Sequence, residues 1–361
     1  MPAKSAFVLL LSAALGAPII AQQATAVPAA NRPAPVSREE LVKRLTTSVD
    51  SLARLGQFSG VVVLSKDGVP IYQTARGLSD RERAIANNLE TAFNIGSINK
   101  IFTQIAIRQL SDAGRIDVDS TLAKYWPDYP NKEVAGRVTI RQLLRHSSGI
   151  GGNIFAAPSG GKRNDIRRLQ DYLPLFVNEP LQFEPGTKQA YSNAGYVVLG
   201  LLVERLSGED YYSYVRKHIF EPAGMTRTGS FAVDSLPPNT AIGYTRGDEN
   251  APRSTPVHRN TEDLPGRGSS AGGGYSTAGD LLRFVKALRE HRIPSGPPAG
   301  VGIAGGSGGM NALLEGDLPG GYDLVVLANL DPPAAERVSR MTREWLGVSD
   351  DVGPGVRRQR R

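Results

Sequence analysis

Phe93-Asn94-Ile95-Gly96-Ser97-Ile98-Asn99-Lys100 is the stretch on which the reading of this chain turns. Downstream of it, Ile101, Phe102, Ile105, Ala106 and Leu110 recur at helical spacing, and Gly114 marks the end. Ser97 therefore stands at a helix start, after the Gly96 turn, with Lys100 one turn further on. Side chains at i and i+3 share a face. A serine hydroxyl needs a base to attack a carbonyl, and a lysine is a base only when its pKa is lowered. Burial and the positive end of a helix both lower it. Taken alone, the tetrapeptide reads more readily as a capping serine followed by a surface lysine.

On either side of this stretch the chain alternates between strand and helix signals. Ser37-Arg38-Glu39-Glu40 has the form of a capping box before a helix carrying Leu41, Leu45, Val49, Leu52 and Leu55. Two β-rich runs, Gly60–Ser65 and Val69–Thr74, flank Lys66-Asp67-Gly68, a hairpin signal. From about 115 to 290 the pattern is mainly helical with long loops. Ala194–Leu206 is apolar almost all round and is stopped by Gly208. Thr277-Ala278-Gly279-Asp280 is a second capping box. Apolar runs return at Met310–Leu314 and Tyr322–Leu330, and Asp331-Pro332-Pro333 reads as the cap of a last helix. Strands at both ends with helices between them predict an α/β fold. Its antiparallel sheet, flanked by helices, is built from both chain ends, with a helical insertion at about 115–290. A cleft between the two parts is the default site.

Composition narrows the chemistry. The 361 residues contain no cysteine, which excludes disulfides, thiol nucleophiles and Cys-ligated metals. Four scattered histidines without an H-E-x-x-H pattern give no zinc motif, and no metal or organic cofactor is implied. Lys4, the apolar run Phe7–Leu15 and Ala24-Thr25-Ala26 read as an export signal over 1–26, so the mature protein is expected to be periplasmic or secreted. Residues 27–36 read as a linker and 347–361 as a disordered tail. Of the net charge of +7, that tail supplies four arginines and Lys4 one more. The remaining body is close to neutral, with no aromatic-interleaved basic stripe, so neither nucleic acid binding nor stable membrane insertion after signal cleavage is expected.

A second chemical element is Tyr191-Ser192-Asn193, placed after Glu184-Pro185-Gly186-Thr187 and before the apolar helix. A tyrosine hydroxyl near Ser97 and Lys100 can relay a proton, and a nearby ammonium favours its phenolate form. Asn193 can hold Lys100 or a substrate carbonyl. With Leu143-Leu144-Arg145-His146-Ser147-Ser148-Gly149, Glu221-Pro222-Ala223-Gly224-Met225 and Gly272–Asp280, these stretches give the chain its resemblance. It resembles the serine β-lactamase and penicillin-binding superfamily, in its class C β-lactamase-like and esterase branch, over about residues 38–346. The resemblance implies Ser97 as the acylated nucleophile, Lys100 as its base partner, Tyr191 as proton relay and Asn193 as a polar aid.

The same resemblance calls for Lys-Thr-Gly or His-x-Gly on a strand beside the cleft. The corresponding stretch is Ile303-Ala304-Gly305-Gly306, and Ile303 can neither donate a hydrogen bond nor carry charge. The backbone N–H of Gly306 can still join that of Ser97 in an oxyanion hole, because a backbone donor does not depend on the side chain. Recognition of a substrate carboxylate is weakened unless a nearby Arg or Lys supplies the charge. Two G-x-S-x-G matches, Gly268–Gly272 and Gly305–Gly309, lack the strand and helix that a nucleophile elbow requires. The expectation is an exported serine hydrolase acting on an ester, amide or lactam, with esterase or peptidase activity favoured over efficient β-lactamase activity. Its partner is a small-molecule or peptide substrate, cell-wall fragments included. The rival is a non-catalytic module that senses peptidoglycan or another envelope ligand.

Overall fold

A computed structural model of the chain describes residues 34–247, 251–252, 254–296 and 301–348. The expected leader, most of the linker and all but the first two residues of the tail lie outside the described residues.

β1 (Gly60–Lys66) and β2 (Val69–Arg76) form the expected hairpin. Asp67 and Gly68 have φ of 50° and 77°, the two-residue geometry that matches strand twist and that Asp-Gly tolerates. β3 (Gly302–Ser307), β4 (Met310–Leu318) and β5 (Tyr322–Ala328) complete the sheet from the other end of the chain. The order is β2-β1-β5-β4-β3, and every neighbour is antiparallel. β1 and β5 lie inside the sheet, so residues of both parities are buried. Val62, Leu64, Leu324 and Val326 point to one face, and Val61, Val63, Val325 and Leu327 to the other.

The longer helices are α1 (Arg38–Arg54), α2 (Asn99–Asp112), α3 (Asn193–Ser207), α4 (Ala278–Arg289) and α5 (Ala334–Trp345). α1 and α5 cover the first face through Leu41, Leu45, Val49, Ala335 and Val338. On the other face sit α2, α4 and the helical region, with α3 inside it, buried from Ala194 to Val203 and ended by Gly208 at φ 77°. Each expected capping box forms by half. Ser37 accepts from the Glu40 N–H and Thr277 from the Asp280 N–H, while the carboxylates turn elsewhere. That of Glu40 goes to Arg44 and that of Asp280 to Thr228 and the Arg227 N–H.

The last helix differs from expectation. Asp331 does not cap α5 with its side chain; its carboxylate accepts from the N–H groups of Gly309 and Arg246. Pro332 and Pro333 have no N–H to offer. The side-chain cap comes from β4, where Asn311 Oδ1 accepts from the Ala335 N–H at 2.6 Å. Among the described residues, no helix is long and apolar enough to cross a membrane.

Candidate active site

Ser97 lies in a single 3-10 turn, Gly96–Ile98, that runs directly into α2. Asn94 Oδ1 closes this turn by accepting from the Gly96 N–H at 2.9 Å. Phe93–Asn94 pairs with Tyr275–Ser276, which ties the start of α2 to the segment before α4. The turn places the Ser97 hydroxyl at the mouth of the cleft and sends Lys100 inward, where its residue is only 3% exposed.

Three oxygens surround the buried amine. Lys100 Nζ donates to Ser97 Oγ at 3.2 Å, to Asn193 Oδ1 at 2.8 Å and to the Ala271 carbonyl. No carboxylate pairs with it among the described residues. Burial without a counter-charge disfavours the ammonium and lowers the pKa to about 7, so the amine is largely neutral in mildly alkaline solution.

Tyr191 approaches Ser97 from the other side, with 2.6 Å between the two hydroxyl oxygens. It lies in the extended segment before α3, whose N-cap Ser192 accepts from the Gly195 N–H. The ring is half-exposed, but its hydroxyl end is packed into the site. That packing raises the pKa, only partly offset by the bond to Ser97. The phenolate expected from a neighbouring ammonium is thus not favoured: the tyrosine keeps its proton, and the lysine is the group moved toward neutrality.

β3 completes the wall. A Cβ on Gly305 would stand 2.2 Å from the Ile95 carbonyl oxygen and 2.7 Å from the Ser97 nitrogen, so only glycine fits. Gly96, at φ 49°, meets the backbone of Gly305 and Gly306 in return. The strand thereby rides on the Ser97 turn, and Ser97 and Gly306 line the same cavity. Asn193 lines it as well. Ile303 does not: it is paired with Leu314 and packs half-buried against the core.

Two contributors were not assigned from the sequence. One is the Ala271 carbonyl, presented by a tight turn in which Ser269 and Gly272 exchange backbone hydrogen bonds. This turn belongs to one of the G-x-S-x-G matches, whose Ser270 is fully buried and donates to the Tyr196 carbonyl. The other is His146. Its carbonyl accepts from the Ala190 N–H and its Nδ1 from the Ser192 N–H at 3.1 Å, so it grips the chain on both sides of Tyr191. Its ring stacks between Tyr191 and Tyr196, with centroids 4.6 and 5.0 Å away. Burial, reinforced by the charge of Lys100, lowers the His146 pKa to about 4 and keeps the ring neutral. His218, by contrast, pairs with Glu209 at 3.0 Å.

The Beta-lactamase family model matches residues 46–324. The chain belongs to that family. It is 31% identical over 238 residues to PbpX of Bacillus subtilis, named as a penicillin-binding protein, a match covering 66% of this chain and 56% of that one. It is 28% identical over 341 residues to Esterase EstB of Burkholderia gladioli, covering 85% of each. A solved penicillin-binding protein from Bacillus halodurans shares the fold at a TM-score of 0.69 and 28% identity, over 85% of this chain and 98% of that one. The chain spans less than two thirds of the length of PbpX, whereas it matches most of EstB.

Proposed function

We propose that this beta-lactamase family protein is an exported serine acyl hydrolase that works through an acyl-enzyme on Ser97. The observation that carries the reading is the buried Lys100 amine, 3.2 Å from Ser97 Oγ, whose other side meets the Tyr191 hydroxyl at 2.6 Å. A cation placed there only for structure would be paired with a carboxylate; among the described residues this one meets uncharged oxygens and the faces of the Tyr191 and Tyr196 rings. In the reaction, neutral Lys100 takes the Ser97 proton as Oγ bonds to the substrate carbonyl carbon. The N–H groups of Ser97 and Gly306 hold the resulting oxyanion. Tyr191, still protonated, gives its proton to the departing alcohol or amine and is reprotonated from the Lys100 ammonium. Water then attacks the acyl-enzyme by the same proton path and frees the acid.

Esters and amides suit the site better than β-lactams, because Ile303 packs against the core outside the cavity lining and gives a substrate carboxylate no polar or charged contact. Export rests on the leader-like pattern over 1–26. Intact-protein mass, measured after mixing with a 4-nitrophenyl ester and separately with a penicillin, tests the chemistry. An adduct or turnover that vanishes in Ser97→Ala is the expected result. No adduct and no turnover with either reagent would sink the hydrolase reading in favour of a non-catalytic binding module.

A further inference from the structure

The cavity beside Ser97 has walls of one character. Ile154, Phe155, Val233, Leu264, Pro265 and Met310 supply its side-chain surface, with the glycine backbone of 272–273 and 306 beneath. Its polar side chains are Asn94, Ser97, Asn193, Tyr275 and Ser307, and among the described residues no charged side chain lines it. The cations carried on or beside these wall segments are already engaged. Arg167 is paired with Asp234, next to Val233, at 2.5 Å, and Arg163 with Asp263, next to Leu264, at 3.4 Å. The Arg267 guanidinium lies 3.6 Å from the Tyr212 ring centre and donates to the Ser230 carbonyl. These three arginines are each held by a partner on the protein.

Orientation decides which part of a substrate meets this surface. Ser97 and Gly306, the proposed oxyanion donors, line the cavity; Tyr191, the proposed donor to the leaving group, does not. With the carbonyl carbon at Ser97 Oγ, the leaving group faces the half-exposed Tyr191 and the acyl chain faces the apolar wall. We infer that the acyl subsite takes uncharged apolar acyl groups and discriminates against an acyl chain ending in a carboxylate. A carboxylate brought there would leave water for a surface whose described lining offers no cation to receive it. This specificity rests on the acyl-hydrolase reading above.

The test compares 4-nitrophenyl hexanoate with the mono-4-nitrophenyl ester of adipic acid, matched in chain length and differing in the terminal carboxylate. Rates are taken over a Ser97→Ala background. The expected kcat/KM is at least tenfold higher for the hexanoate. Phe155→Lys, at a position 42% exposed at the cavity mouth, should cut that ratio severalfold by supplying a cation. Ser97-dependent turnover with a ratio near one, or reversed, overturns the specificity while leaving the hydrolase intact. A tenfold ratio that Phe155→Lys leaves unchanged also overturns it, since the discrimination would then arise elsewhere. Absence of Ser97-dependent turnover on both esters overturns the hydrolase reading itself and the specificity with it.

Discussion

Lys100→Met removes the buried amine while keeping the length of the side chain, and its consequence for stability follows from proton linkage. Folding moves this pKa from 10.5 to about 7. Between those values the unfolded chain holds a proton on Lys100 that the folded chain does not, so raising the pH through this window stabilises the wild type. The slope approaches about 1.4 kcal/mol per pH unit inside the window and vanishes once both states are protonated below it. Integrated from pH 7 to pH 9, the gain is about 2 kcal/mol, allowing for half-titration of the folded form at the lower end. Lys100→Met has no such gain. The variant also leaves Asn193 Oδ1 and the Ala271 carbonyl without their donor, but that cost does not depend on pH, so the slope is diagnostic where the offset is not. Urea unfolding of both proteins at pH 6, 7, 8 and 9 gives the difference directly. A wild-type advantage that stays constant across the series would show that the amine titrates normally, and Lys100 would lose its standing as the base. The kinetic counterpart is an acid limb in kcat/KM, rising with pH through about 7.

Asn193→Asp puts a carboxylate 2.8 Å from Nζ, which should raise the Lys100 pKa by about 1–3 units and carry the acid limb of kcat/KM upward with it. A pH–rate profile whose limb stays in place refutes the assignment. His146→Ala removes the stack behind Tyr191 and the acceptor for the Ser192 N–H; kcat should fall about 10²-fold with KM little changed, in steady-state kinetics on any ester turned over. Gly305→Ala forces a Cβ against Ile95 and Ser97, so serine labelling by a fluorophosphonate should be lost or slowed more than tenfold while circular dichroism shows a folded protein. Asn311→Ala unpicks the side-chain cap of α5 and should lower stability by about 1–2 kcal/mol, read as a drop of a few degrees in Tm.

Where local chemistry decides an element, it was legible in advance. The β1–β2 hairpin is written in Asp67-Gly68, the end of α3 in Gly208, and the inner strands β1, β4 and β5 in their apolar runs. β3 is different. Gly302–Ser307 has almost no strand-forming side chains, and it is a strand because β4 pairs with it on one edge and the Ser97 turn packs on Gly305 from the other side. Such non-local causes leave little trace in a window of sequence. The α5 cap failed for the same reason: the acceptor that serves the helix lies on β4, 24 residues upstream, and Asp331 is drawn to two other N–H groups.

The site shows the same division between side chains that can be named and environments that cannot. Ser97, Lys100, Tyr191 and Asn193 stand in recognisable motifs, and the packing of α2 beside α3 brings them within hydrogen-bond reach, Lys100 and Asn193 from positions 93 apart in sequence. Their protonation states depend on what surrounds them, and there the expectation for Tyr191 failed. It assumed an ammonium beside the phenol, yet the burial that makes Lys100 useful disfavours that ammonium. A carboxylate partner would have restored the charge; Asn193 and a backbone carbonyl satisfy the amine without doing so. One structural choice, neutral oxygens around a buried lysine, thus leaves the lysine able to accept a proton and the tyrosine still holding one. The backbone carbonyl of Ala271 has no signature in sequence, and His146 shows only as part of a loop, although together they set the surroundings that give the motif residues their roles.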